Sequence, residues 1–310
     1  MKAVGVTGQD NMTRLFDVDE PSAAYDGVVV EVMAASVNDF DRAALRGLHA
    51  TDPGDQDPVM LGRDFVGRVT AVGENVGHID VGMHVAGVLS PPAPGKSGSF
   101  AERVAVPAGS LAPVPAGVDV EHAAGVGLAG VTALDAINAL GATRLGKLVI
   151  HGPVSGVGGF ALQLAKAHGA VVAVITAESK VDLAWGLGAD FVVAERKTAS
   201  ASAEAVRDFF GGPADTAIHV AGDLAVAASV VRPDGTFTSV DGAVMDAILS
   251  GDGYVPTIVT LSGHKLADLL FKVAAQRLIS PVGRTLSFDQ VECAVNLEGG
   301  DINGRTVIVR

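Results

Sequence analysis

Cysteine is the first scarcity. The chain carries one, Cys293, which excludes an internal disulfide and any zinc site assembled from several cysteines. No window offers the roughly 18 to 20 uninterrupted apolar residues of a membrane span. The opening MKAVGVTGQDNMTRLF has no apolar signal core followed by a small-residue cleavage site, so a cytoplasmic address is expected. Basic residues are also few: 22 against 35 acidic ones, a net charge of -13 with no Lys/Arg run to offset it. A surface of that sign repels nucleic acid and anionic lipid, so neither is expected as a partner, and the acidity is read as serving solubility. Internal repeats and low-complexity linkers are missing as well.

What the chain has is apolar mass, 48% of 310 residues, which is ample for a packed core. That length favours two domains, one of them able to sit inside the other in sequence. The first hundred residues are β-rich. GVVVEVMAAS (27–36) and FVGRVTAVG (65–73) are β-branched with partial alternation, separated by Gly, Pro and Asp. SPPAPGKSGS (90–99) has the composition of a surface loop. From about residue 120 the rhythm changes to a helix closed by glycine (121–141), a strand (148–151), a glycine loop and a second helix (159–168). Strands at 170–176, 190–194, 216–221 and 236–240 follow, with a helix at 179–188. Such alternation predicts βαβ units and a doubly wound parallel sheet. The tail GRTVIVR is again β-rich.

The glycine loop reads LVIHGPVSGVGG (148–159). A strand, then Gly152, Gly156, Gly158 and Gly159, then a helix is the layout that holds a pyrophosphate. The chain turns sharply, phosphate oxygens approach the main chain, and unpaired helix N–H groups point at them. GVGGFA (156–161) fits G-x-G-x-x-A, with Ala161 small enough for close helix–sheet packing. A plain βα turn needs only one or two glycines. On this reading Gly152, Val154, Gly156, Val157 and Gly158 line the coenzyme, Val157 and Gly158 meet the pyrophosphate, and Gly158→Val would block the ligand without unfolding the protein. An acidic residue about 20 positions on would take the ribose hydroxyls of NAD, and Glu178 stands near that distance. Thr176 closes the strand with a neutral hydroxyl, however, and Ser179, Lys180 and the later Arg196 suit a 2′-phosphate. NADP(H) is expected, with NAD(H) the alternative. Ala221–Gly222 and Ser239–Val240 follow strands, at the carboxyl ends where ligands collect in open parallel sheets.

Several stretches, taken in order, resemble a known family. They are SVNDFDRAALRG (36–47), LGRDFVGRVTAVGENV (61–76), GSFAERVAVPA (98–108), GVTALDAI (130–137), HGPVSGVGGFALQLAKAHGA (151–170), LGAD (187–190) and LEGGDINGRTVIV (297–309). Together they resemble the zinc-independent, zeta-crystallin-like quinone oxidoreductases of the medium-chain dehydrogenase/reductase superfamily. The resemblance implies a GroES-like catalytic domain from residues 1–115 and 256–310, and a Rossmann dinucleotide-binding domain from 116–255. It implies an active site in the cleft between them, NADPH-dependent two-electron reduction, and a homodimer or larger assembly. The chain departs from the family at PVSG (153–156), at GMHV (82–85) and at His219, where an Asp is common.

Zinc-dependent members of the superfamily place a Cys where this chain has Asn38 and a His-Glu pair where it has Arg63-Asp64. An amide and a guanidinium are poor zinc ligands, so no metal is expected. Hydride addition to the electron-poor carbon of a quinone or enone then suits the site, with hydrogen bonds meeting the charge that develops on oxygen. Asn38 is the leading polar candidate, touching the nicotinamide ribose or the substrate oxygen, or else closing an Asx turn after a strand. Thr132 would bond the carboxamide, or is a plain helix-interior threonine. Phe40 lines the pocket, or belongs to the core. Arg63 assists an oxyanion or pairs with Asp64 or Asp39, and the ion pair is favoured. Asp41 and Arg46 are read as structural partners, His219 as a strand residue with a satisfied ring, and Cys293 as a small apolar filler in a helix. Two further functions stay open: an enoyl-thioester or alcohol/aldehyde reductase of the same superfamily, and a non-catalytic NADPH-binding sensor or structural protein.

Overall fold

The computed structural model describes residues 1–7, 12–45, 58–90, 98–195, 198–241, 253–296 and 303–310. The chain folds into two compact units, Met1–Leu128 with Leu261–Arg310, and Ala129–Thr260.

The first unit is built from antiparallel sheet. Its strands are β1 (Lys2–Val6), β2 (Thr13–Asp17), β3 (Gly27–Ser36), β4 (Val59–Met60), β5 (Asp64–Val72), β6 (His84–Val88), β7 (Arg103–Pro107) and β8 (Leu111–Pro113). After the second unit come Val282–Ser287 and Arg305–Val309, which are β14 and β15. The larger sheet has the order β14-β15-β3-β5-β6-β8, with β7 also paired to β3. β3 is the spine: it runs ten residues and buries nearly all of them, which explains a run of apolar residues where half-exposed strands alternate. Val28, Val30, Phe65, Val69, Val85, Val104 and Ile308 form its core with Val291 and Ala294 of the helix Val291–Asn296. Cys293 of that helix is exposed, so the thiol is no core filler; its neighbours Val291, Ala294 and Val295 face inward instead.

The second unit holds five parallel strands, β9 (Lys147–His151), β10 (Val171–Thr176), β11 (Phe191–Ala194), β12 (Ala214–His219) and β13 (Val231–Ser239). Their order is β11-β10-β9-β12-β13. Helices α3 (Val157–Ala167), α4 (Val181–Gly186), α5 (Ala199–Phe210) and α6 (Leu224–Val230) connect them; α1 (Asp39–Leu45) and α2 (Val120–Leu140) precede them in the chain. Strand order reverses between β9 and β12, the switch point at which such sheets open a crevice for ligands. Val149, Ala173, Ile175, Ala217 and Val226 are buried beneath it.

Among the described residues α2 has the length and hydropathy of a membrane span, yet 78% of that window is buried inside the fold. Its helical geometry breaks at Gly127 (φ -12°, ψ -117°). The amide freed there is taken up: Leu128 N–H donates to Asp64 Oδ2 at 3.0 Å. A Cβ at Gly127 would collide with the Asp64 side chain, so only glycine lets carboxylate and broken helix meet.

Candidate functional site

At the carboxyl edge of the parallel sheet the loop begins at Gly152 (φ +121°), whose N–H donates to Ile175 O at 2.9 Å. A Cβ at this position would stand 2.7 Å from Ala221 N. Glycine is therefore required for conformation and for space. Gly156 caps α3 without any side-chain bond, and its carbonyl accepts from Gly159 and Phe160 N–H, both at 3.1 Å. No cap side chain covers the first two amides of the helix, those of Val157 and Gly158, and neither has a partner among the described residues. A helix start of this kind fits a pyrophosphate.

Gly158 is confined by protein, contrary to expectation. A Cβ there would run into Pro153 O and stand 3.5 Å from Val220 Cγ2; at Gly159 it would run into Val154 O and approach Leu187 Cδ1 at 2.9 Å. These glycines let the loop fold back on its own helix. The first thing a larger residue meets is protein, before any ligand.

Around this loop the remaining coenzyme candidates lie at strand ends. Thr176 ends β10 and is buried; Ser179 is exposed; Lys180 is buried, only 2% of it exposed. Arg196 lies outside the described residues. Val154 is buried and Val157 half-buried. Ala221 is half-buried and Gly222 exposed (φ +100°), after Val220 N–H has donated to His151 O at 2.8 Å. Ser239 Oγ pairs with His219 Nδ1 at 2.9 Å and accepts from Asp241 N–H, while Val240 N–H donates to His219 O. His219 Nε2 reaches Gly222 O at 3.2 Å, so both ring nitrogens are engaged. Thr132, on α2, is buried and has no side-chain bond among the described residues.

The first unit holds a second polar cluster, buried throughout. Asp64, fully enclosed, accepts from Ser36 N (3.1 Å), Ser36 Oγ (2.9 Å), Asn38 Nδ2 (3.2 Å) and Leu128 N. Arg305 closes the set: its Nη2 donates to Ser36 Oγ and Asn38 Oδ1, both at 2.6 Å, and stands 3.8 Å from Asp64 Oδ2. Asn38 Nδ2 also donates to Ser36 O at 3.2 Å. Both amide hydrogens are thus committed, leaving no donor for a substrate oxygen. Asp41 receives Asn38 N–H and Gly62 N–H, each at 2.8 Å, tying the start of α1 to the connection between β4 and β5.

Arg63 forms no ion pair with Asp64 or Asp39 among the described residues, contrary to expectation. Its Nε donates to Leu89 O at 3.0 Å and its guanidinium lies 4.5 Å from the centroid of Phe40, a cation–π contact. The reason is local: Asp64 is turned toward Ser36 and Arg305, and Asp39 pairs with Arg42 at 2.9 Å. Arg46 lies outside the described residues. Ser36 and Arg305 carried no signal of their own in the sequence, because their partners come from distant segments.

Burial pushes the Asp41 carboxyl up to about 6, against the pull of its two backbone donors. Since the folded value exceeds the ordinary 3.8, stability from this group is greatest below that value and is lost as pH rises through about 6. Urea unfolding across that window is expected to show a decline that Asp41→Asn lacks. Identical slopes for both proteins would contradict the assignment.

Residues 24–116 match the family described as the alcohol dehydrogenase GroES-like domain, and residues 156–276 the zinc-binding dehydrogenase family. A zinc-type alcohol dehydrogenase-like protein of Schizosaccharomyces pombe is 32% identical, over 82% of this chain and 74% of that protein. The 2-methylene-furan-3-one reductase of Solanum lycopersicum is 30% identical, over 94% and 74% respectively. Among solved structures, a quinone oxidoreductase from Coxiella burnetii superposes with a TM-score of 0.83 at 23% identity, covering 100% of this chain and 99% of that one.

Proposed function

The chain belongs to the medium-chain dehydrogenase/reductase superfamily, as a nicotinamide-nucleotide-dependent oxidoreductase with GroES-like and Rossmann domains, and from that premise we propose an NADPH-dependent, zinc-independent reductase of quinones or activated enones, zeta-crystallin-like in type. The observation that carries this reading is the closed set around Asp64. A catalytic zinc needs three good N, S or O donors and an open position. Asn38 has its amide committed, Arg63 is itself a cation, and Asp64 is enclosed by its donors and Arg305. These residues do not fit the metal, and no step is routed through one. An acceptor reduced without a Lewis acid must be electron-poor by itself, as quinones and enones are. The tomato relative's name denotes such an enone.

When bound, the reduced nicotinamide supplies the hydride. The chain's part is to hold and orient. The main chain of Gly152, Val154, Gly156, Val157 and Gly158 receives the pyrophosphate at the start of α3. Thr176, Ser179 and Lys180 receive the 2′-phosphate, with Arg196 as a second cation. Ala221, Gly222, Ser239 and Val240 line the ends of β12 and β13. The Thr132 hydroxyl donates to the carboxamide. Phe40 and Arg63, braced against each other, form a wall of the substrate pocket. Asn38 is a positioning residue, acting through Arg305 and Asp64. The reading includes a cytoplasmic homodimer or larger assembly.

NADPH oxidation followed by absorbance is expected with a small naphthoquinone or an exocyclic enone. Turnover of enoyl thioesters alone would replace the substrate class, and no turnover across a panel of all three would refute the reductase.

A further inference from the structure

The carboxyl edge of the parallel sheet holds a titratable group that the account above does not use. His151 closes β9 with 1% of its surface exposed, and neither ring nitrogen has a hydrogen-bond partner among the described residues. Buried imidazoles ordinarily have partners. The nearest charge is Glu195, whose Oε1 stands 3.5 Å from His151 Nε2. Glu195 follows β11, and its N–H donates to Thr176 O at 2.7 Å, so its backbone is fastened to the end of β10. Its side chain is half-exposed and has no other ion pair among the described residues. Gly222 approaches from β12: a Cβ there would lie 3.1 Å from His151 Cε1 and 3.9 Å from Glu195 Oε1. The His219 ring is 5.7 Å away, its own nitrogens already bonded to Ser239 and Gly222.

These residues stand beside the glycine loop, Thr176 and Gly222, all assigned above to the coenzyme. Burial holds the His151 ring below its ordinary value; Glu195 pushes it up, His219 pushes it down, and Asp223 before α6 pushes it up. Near neutral pH the ring is therefore uncharged, and the Glu195 carboxylate faces the edge without a cation among the described residues. That is an unfavourable neighbour for an anionic ligand.

Resting on the coenzyme reading, we propose that His151 and Glu195 form a proton-accepting pair built into the coenzyme site, so that binding of the anionic dinucleotide draws a proton from solvent onto the His151 ring. The protonated ring would donate through Nε2 to Glu195 and neutralise the carboxylate as the pyrophosphate arrives. Linkage makes the effect reciprocal: if the coenzyme favours the protonated pair, protons favour the coenzyme, and affinity rises as pH falls.

The test is titration calorimetry with NADPH at several pH values, in buffers of different ionisation enthalpy, which counts protons taken up per coenzyme bound. Wild type is compared with Glu195→Gln and His151→Asn, so that titration of the ligand's own phosphate cancels in the difference. Wild type is expected to take up more protons than either variant. Glu195→Gln, half-exposed and free of hydrogen bonds to lose, is expected to bind about fivefold or more tightly at neutral pH and to lose the pH dependence. Equal proton counts in wild type and Glu195→Gln would overturn the pair while leaving the coenzyme site standing. No binding by folded wild type at any pH would refute the coenzyme reading, and the pair with it.

Discussion

Arg305→Met is expected to be the most destabilising single change in the GroES-like unit, lowering unfolding free energy by about 3–5 kcal/mol. The loss comes from an asymmetry between keeping a buried pair and breaking it. Paired with Arg305, Asp64 is a buried carboxylate with four donors and a cation; without it, the negative charge is left enclosed and short of compensation. Asn38 Oδ1 and Ser36 Oγ lose their donor as well. Methionine restores most of the volume, so a cavity is not the cause of the loss. The double variant Arg305→Met with Asp64→Asn should regain part of the stability, because the charge leaves with its partner. Chemical denaturation of the three proteins checks this. A loss under about 1 kcal/mol for Arg305→Met, or no recovery in the double variant, would show that the network holds little.

Gly158→Val is expected to abolish coenzyme binding and to destabilise the Rossmann unit together. Any Cβ at this position meets Pro153 O, and the two extra methyl groups of valine turn a close approach into displacement of the loop. Overpacking of this kind costs about 1–3 kcal/mol, a shift of several degrees in Tm. Coenzyme affinity falls because Gly156, Val157 and the carbonyl of Pro153 can no longer keep their places. Unchanged Tm with lost binding would mean that the side chain projects into the ligand's space instead, and unchanged binding would mean that the loop is only a turn.

Legibility in the sequence followed the range of the forces involved. β3 stands on the β-branched stretch that ends at Ser36, and the five parallel strands fall on the runs read as strands, since strands buried on both faces are short apolar runs between turn residues. Gly141, in left-handed conformation (φ +79°), follows the end of α2. α5 was not legible: ASASAEAVRDFF is rich in small residues, and its apolar stripe is carried by few side chains. The polar network was hidden for a different reason. Arg305 and Asn38 are 267 positions apart, and a donor cannot be matched to an acceptor across that distance from one chain alone. For the same reason Asn38 read as a free polar group and Arg63 as the partner of Asp64.

The single tryptophan gives the most direct test of coenzyme binding. Trp185, 46% exposed on α4, lies five residues beyond Lys180 and would report on coenzyme bound at the proposed site. Titration with NADPH is predicted to quench Trp185 emission saturably and to sensitise nicotinamide emission, at lower concentration than NADH. Lys180→Ala is predicted to erase most of that preference. A flat trace with both coenzymes from folded protein would contradict the account.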